Sequence, residues 1–90
     1  MPYEPLREII REHEFEEQLA ALISNTEDAD KFTLGAEYVL AREPRDGVPA
    51  FPDESVWLLP MSPVRGRQVT LYYTFDETTV VFLSILASDD

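Results

Sequence analysis

Arg65 and Arg67 are the residues whose type and spacing most clearly suggest chemistry. They flank Gly66 and are the only basic residues between positions 55 and 90, a part of the chain that otherwise reads as strands. Guanidinium groups hold phosphate well, and a glycine lets the backbone approach a phosphate closely. The alternative interpretation is a solvated hairpin tip. The pair is not accompanied by a catalytic motif that is complete in itself.

Other reactive side chains are few. His13 is the only histidine and stands between Glu12 and Glu14, where an exposed helix-start residue is favoured over a catalytic base. The acidic residues within 27–30 could attract a hard cation, but they lack the glycine and the spacing of a calcium loop, so a solvated helix start is favoured. A zinc site would need a second histidine or a cysteine, and the chain has neither. The sequence therefore predicts no metal and no cofactor.

The charge balance argues against free binding of nucleic acid. The 90 residues include 18 acidic and 7 basic side chains, which gives a net charge of −11 at pH 7. Most of the excess lies in residues 1–54. Such a field repels nucleic acid unless a local basic patch overrides it.

The length and the residue usage predict one soluble domain, residues 1–90. The absence of cysteine fits a reducing compartment. No apolar run approaches the roughly 18 residues of a membrane span. Glutamates occupy the first 20 residues where a signal peptide needs an apolar region. We therefore expect a cytoplasmic protein with no membrane partner.

Two helices are predicted in the first half of the chain. Apolar residues at i, i+4, i+7 and i+8 from Phe15 predict a helix over residues 14–24. A second helix starts at residues 24–27, which have the Ser-x-x-Glu form of a capping box and in which Asn25 or Thr26 could cap equally well. It runs to about Glu43, where Pro44 ends it. Gly35 inside this helix is interpreted as a mark of close packing against the first helix.

Three strands are predicted in the last third, over residues 56–61, 68–75 and 79–87. Strands that follow one another through short turns pair antiparallel. Pro60 and Pro63 either end the first strand or confine it to an edge of the sheet. The third strand is apolar on both faces, so it should be central or covered on both sides.

Aromatic residues can be placed by strand alternation. Tyr73 belongs to the buried set of its strand, whereas Tyr72 points to the opposite face and is the more exposed of the two. Trp57 is expected to anchor the core under the helices, with a place on a partner-binding face as the alternative.

These elements define an α+β fold in which a helical hairpin packs on an antiparallel β-meander of three to four strands. The count depends on residues 7–12, which are interpreted as a short strand but also fit a helical stripe. Residues 45–53 read as an ordinary loop between the second helix and the meander.

The order of these elements resembles the RelE/ParE-like toxins of bacterial type II toxin–antitoxin pairs. Residues 15–22 resemble the first helix of that family, and residues 40–47 resemble its Leu-x-x-x-Pro-x-x-Gly exit from the second helix. Residues 71–77 and 80–85 are similar to its last hairpin, in which an aromatic strand and an acidic turn precede an apolar strand.

The resemblance implies cleavage of mRNA on the ribosome or inhibition of DNA gyrase, and a cognate antitoxin as partner. In the ribosome-dependent nucleases, cations cradle the RNA and a Tyr, His or Glu moves the proton. Here Arg65 and Arg67 would contact phosphate, and Tyr72 is a candidate for stacking or proton transfer. The chain departs from the family at its end, residues 87–90, which carries neither a cation nor an aromatic residue.

Two hypotheses follow. The first is an active toxin, an mRNA endoribonuclease or a gyrase inhibitor, which acts on ribosome-bound mRNA or on gyrase. The second is a catalytically silent protein-interaction module of the same fold, which binds a partner protein or a second copy of itself. The acidic balance and the bare end of the chain favour the second hypothesis on chemical grounds.

Overall fold

The computed structural model describes residues 6–50 and 55–88 as two helices packed on one mixed sheet. The helices are α1 (His13–Leu22) and α2 (Thr26–Arg42), and a single 3₁₀ turn follows at Pro44–Asp46. The strands are β1 (Glu8–Arg11), β2 (Val48–Pro49), β3 (Trp57–Val64), β4 (Arg67–Phe75) and β5 (Thr79–Ser88). The α+β class predicted from the sequence is confirmed.

The sheet has five strands in the order β1-β5-β4-β3-β2, so the prediction of three to four strands was wrong. The missed strand is β2, which lies in the predicted loop and pairs with β3 through only two residues. A two-residue strand is too short to show alternation, so no sequence pattern could indicate it. The predicted strand at residues 7–12 is confirmed as β1.

The sheet is mixed and not wholly antiparallel, since β1 runs parallel to β5 while all other neighbours are antiparallel. The two helices carry the chain from β1 at one edge of the sheet to β2 at the other edge, and the antiparallel strands β2 to β5 then return it to the side of β1. The last strand, β5, lies between β1 and β4, so its predicted central position is confirmed.

Pro60 and Pro63 lie within β3 and do not end it. They lie in the part of β3 that forms the edge of the sheet, as the second of the two predicted alternatives requires. Beyond Leu58, β3 pairs only with β4, because β2 reaches no further than Leu58 and Trp57. Proline lacks the N–H that a central strand would need, so it is tolerated where one side of the strand is unpaired. The register also becomes irregular between Met61 and Val64.

The core lies between the helices and one face of the sheet. Phe15 and Leu19 of α1 and Leu40 of α2 are buried against alternate residues of the two central strands. The buried strand residues are Val69, Leu71, Tyr73, Val80, Phe82 and Ile85. Trp57 packs against this core and is partly buried, with its ring 5.4 Å from that of Phe75.

Gly35 does not mark close helix packing, and that interpretation was wrong. A Cβ atom added to Gly35 would meet no atom within 4 Å outside its own helix backbone. Gly35 instead borders an open groove of about 310 Å³ between α2 and β3. Helix periodicity alone could not distinguish these surroundings, because it does not say which neighbour a position faces.

A bulge keeps β5 in register with the core. Tyr72 pairs with Ser84 and Tyr73 pairs with Phe82, so Leu83 is an extra residue opposite β4. The extra residue shifts the alternation by one, which allows Phe82 and Ile85 to be buried on the same face.

Arg11 joins the edge strand β1 to the helix layer. Its guanidinium donates to Glu37 Oε2 at 2.6 Å, to Thr33 Oγ1 at 2.9 Å and to Glu16 Oε1 at 3.2 Å. Asp30 lies 3.7 Å from the same group. Burial alone would lower the pKa of Arg11, but the hydrogen bonds and charges of Glu37 and Glu16 raise it above its ordinary value.

Tyr73 joins the sheet to the turn that follows α2. Its hydroxyl donates to the backbone oxygen of Pro44 at 2.6 Å, and both residues are buried. Gly47 passes so close that a Cβ there would collide with the Tyr73 hydroxyl and the Leu58 carbonyl oxygen. Burial raises the pKa of Tyr73 to about 12, so the hydroxyl remains a donor at neutral pH.

We expect Tyr73→Phe to lower the free energy of unfolding by about 1–3 kcal/mol, because it leaves a buried carbonyl without a donor. Tyr72→Phe is the matched control on the opposite face and should change stability by less than about 0.5 kcal/mol. Chemical denaturation of both variants at pH 7 measures the difference. Equal effects of the two substitutions would show that the Pro44 contact is not stabilising.

The raised pKa of Tyr73 also predicts a pH dependence. Its contribution to stability is complete below the ordinary tyrosine pKa of about 10 and is lost as pH rises towards about 12, since only the unfolded chain ionises in that window. Wild type should therefore lose more stability than Tyr73→Phe between these pH values. Parallel curves for the two proteins would contradict the assignment.

Candidate partner-binding face

Arg65 stands at the tip of the β3–β4 hairpin in a strained backbone conformation. The φ angles of Arg65 and Gly66 are 52° and 76°, and a two-residue hairpin turn with positive φ at both positions favours Asn-Gly. Among the described residues, Arg65 is the only non-glycine residue with positive φ. Arg65 is exposed.

The structure does not bring Arg65, Arg67 and Tyr72 together. Arg67 shares the strand face of Val69 and borders a groove of about 210 Å³ beside Gln18 and Leu22 of α1. Tyr72 lies on the opposite face of the same strand. The sheet therefore separates the tyrosine from Arg67, and Arg65 lies at the hairpin tip.

The other candidate residues from the sequence lie at the starts of the two helices. His13 is the first residue of α1 and is 87% exposed, with Nε2 at 3.5 Å from Glu17. Asn25 caps α2 by accepting from the Asp28 N–H at 3.0 Å, so the acidic residues that follow form a helix start. Within residues 6–50 and 55–88, no group of three or more His, Asp or Glu side chains could hold a metal ion.

The remaining arginines lie near aromatic rings at the end of the sheet where α2 terminates. The guanidinium carbons of Arg7 and Arg45 are 6.0 and 5.4 Å from the centre of the Phe75 ring. That of Arg42 is 3.6 Å from the Tyr38 ring. Cation–π contacts of this kind hold the cations near the surface of the helix layer and the sheet end. None of these three arginines lies on a strand of the sheet.

One face of the sheet has no helix on it, and we call it the open face. Both helices contribute to the core on the other side, and no further helix exists among the described residues. Alternation and pairing place an apolar set on the open face. It consists of Ile10, Leu58, Tyr72, Val81 and Leu86, with Val48 at the β2 edge.

The open-face side chains form rows across the strands. The central row runs through Val48, Leu58, Tyr72 and Ser84. A second row joins Thr74, Val81 and Ile10, and a third joins Pro60, Thr70 and Leu86. Tyr72 therefore lies in the middle of this face.

The open face carries almost no charge although the chain is strongly acidic. Among the described strand residues that alternate onto it, Glu8 at the end of β1 is the only charged one. Ile10 and Leu86 are 42% and 46% exposed, and Val81 and Tyr72 are half-buried. An uncharged, apolar sheet face is suited to another protein surface and lacks the cations that a phosphate backbone needs.

Sequence reasoning recognised part of this face. The two-sided apolar pattern of β5 predicted a strand that is central or covered on both sides. The strand is central in the sheet, and the described helices cover one of its two faces. Leu58 and Ile10 were not singled out, because their face depends on the registers of β3 with β4 and of β1 with β5. Tyr72 was singled out as an exposed tyrosine, and the structure surrounds it with apolar and hydroxyl side chains.

Comparison of the chain with protein-family models, with curated proteins and with solved structures finds no match. Within the described part of the chain, neither helix has the length and apolar character needed to cross a membrane. The fold defines the chain as a two-layer α+β protein with a mixed sheet and one open face.

We expect Arg65→Asn to raise the free energy of unfolding by up to about 1 kcal/mol, because asparagine accepts positive φ more readily than arginine. Gly66→Ala should lower it by about 1 kcal/mol, since its φ of 76° is unfavourable for a residue with a Cβ. Thermal and chemical denaturation of both variants test the geometry of the turn. A stabilising effect of Gly66→Ala would contradict it.

Proposed function

We propose that the chain is a catalytically silent protein-interaction domain with the element order of the RelE/ParE-like toxins, and that it binds its partner through the open face. The observation that carries the proposal is the apolar, nearly uncharged character of this face in a chain with a net charge of −11. A β-strand with two apolar faces needs cover on both. The helices supply one cover, and a partner supplies the other.

The distribution of cations supports binding of protein over cleavage of RNA. A nuclease of this type needs positive charge around the scissile phosphate and a group that moves a proton close to it. Arg67 and Tyr72 lie on opposite sides of the sheet, and Arg65 lies at the hairpin tip. The strands provide no lysine, and the helices are rich in acidic residues that repel RNA.

The residues of the open face are also suited to a protein contact. Tyrosine is enriched among the residues that dominate binding energy, and it acts best near the centre of an interface. Tyr72 has this central position, with Leu58 and Val81 around it. Threonines and serines between them supply hydrogen-bonding groups without a net charge, so specificity does not require ion pairs.

An active toxin is the second candidate. The order strand, helical hairpin and closing meander favours it, as do the two arginines of the β3–β4 hairpin. It requires these arginines to contact RNA from outside the open face. A conformational change or a ribosomal group would then have to supply the group that moves the proton. This candidate remains a proposal based on resemblance.

Induction of the chain alone in a bacterial host separates the two candidates. We expect normal growth and intact mRNA, because Tyr72, the candidate for proton transfer, lies on the opposite side of the sheet from Arg67. The double variant Arg65→Ala/Arg67→Ala should behave like wild type. Growth arrest that this double variant relieves would overturn the silent-domain proposal and support a nuclease.

A photo-crosslinker tests the face itself. Benzoylphenylalanine in place of Thr74, in the second row of the open face, should give covalent protein adducts in cells. The same group in place of Lys31, which is exposed on α2, is the matched control and should give few. No adduct from position 74, or equal adducts from both positions, would contradict binding through the open face.

A further inference from the structure

The open face carries no charge over most of its area, so two copies of it can meet without opposing like charges. Two of its rows have apolar residues at their centre, Leu58 and Tyr72 in one and Val81 in the other, and Glu8 is its only charged residue among the described strand residues. An acidic or basic partner would find no ion pair over most of this surface. We propose, building on the proposed function, that the partner on the open face is a second copy of this chain, related by a two-fold axis that passes near Tyr72.

A two-fold axis makes every contact reciprocal, so a residue of one subunit that meets a second residue of the other is matched by the converse pair. In such an isologous contact the same patch serves both subunits, so one surface is sufficient for a closed dimer. Two sheets that pack face to face form the core of a β-sandwich, with side chains interdigitating about 10 Å apart. The central Tyr72 and the flanking Leu58 and Val81 would fill this layer.

The area of the face is sufficient for a reversible dimer. Three long strands of 8, 9 and 10 residues form most of the open face. With the 4 residues of β1 and the 2 residues of β2 included, strands about 4.8 Å apart and a rise of about 3.3 Å per residue give a face of about 500 Å² per copy. A total near 1,000 Å² is the lower limit for a specific interface, so a micromolar dissociation constant is expected.

The charge distribution permits this arrangement at physiological salt. Half of the acidic residues, nine of 18, lie between Glu12 and Glu43, in or beside the helices. The helices pack on the side of the sheet away from the open face, a layer about 10 Å thick. Charges separated by two such layers are farther apart than the Debye length of about 8 Å, so salt screens their repulsion.

This geometry predicts a specific salt dependence. The dimer should strengthen when NaCl is raised from about 0.05 to about 0.5 M, because added salt screens the repulsion between the two acidic subunits. Binding of a basic protein to an acidic patch, or of nucleic acid to a cationic patch, would weaken over the same range of salt concentration. The sign of the effect therefore separates the proposed contact from an electrostatic one.

Sedimentation equilibrium of the purified chain between about 1 and about 200 µM tests the proposal. Wild type should show a concentration-dependent monomer–dimer equilibrium. Ile10→Asp and Leu86→Asp place a charge on exposed open-face positions that the monomer tolerates, and each should raise the dissociation constant at least about tenfold. Leu34→Asp, at a position 62% exposed on α2, is the matched control and should leave it unchanged.

Circular dichroism verifies that the three variants are folded. A wild type that stays monomeric over the whole range, or a dimer that Leu34→Asp disrupts as strongly as Ile10→Asp, would overturn the inference. Its failure can be distinguished from failure of the proposed function by the crosslinker at position 74. An adduct of twice the chain mass supports the dimer, an adduct of another mass supports only the interaction domain, and no adduct overturns both.

Discussion

The structure depends on one constraint, which is that two helices can cover only one face of the sheet. A sheet has two faces, and β5 is apolar on both, with Val80 and Phe82 on one side and Val81 and Leu86 on the other. The 10-residue and 17-residue helices bury the first set and leave the second without cover from the described chain. The position of the core and the character of the open face both follow from this division.

Two polar contacts hold the helix layer on its side. Arg11 ties β1 to both helices through Glu16, Thr33 and Glu37, and its partly buried charge is matched by carboxylates. At the other end, the buried Tyr73 hydroxyl ties β4 to the turn after α2. These contacts are directional, whereas apolar packing is not, so they fix the position of the helix layer on the sheet.

Charged residues are divided between the two sides of the sheet in the same way as the helices are. Acidic residues concentrate on the helices, the arginines outside the ion-pair network contact aromatic rings or lie at the hairpin, and the open face is nearly neutral. This division explains why the proposed resemblance to a family of RNA-directed toxins and the chemistry of the sheet point in different directions. A resemblance in element order concerns the scaffold, whereas catalysis needs particular groups placed close together.

The sequence by itself determined the elements whose patterns are local. The i, i+4 spacing from Phe15 and the capping signal within residues 24–27 placed both helices to within a few residues, although only the structure selected Asn25 as the cap. Alternation placed Tyr73 in the core and Tyr72 opposite to it. The two-sided apolar pattern of β5 correctly indicated a central strand. The opposite faces of Arg67 and Tyr72 were also implicit in the alternation of β4, so part of the candidate site could be judged from the sequence.

Only the tertiary structure decided which distant residues meet. It paired β1 in parallel with β5, added β2 to the edge, inserted the bulge at Leu83 and placed Gly35 beside an open groove. It also collected Ile10, Leu58, Tyr72 and Val81, from four different strands, on one uncovered face. The physical reason is that the periodicity of a segment shows only which of its residues share a face. What that face meets is decided by strand register and layer packing, and these depend on contacts between residues far apart in the chain.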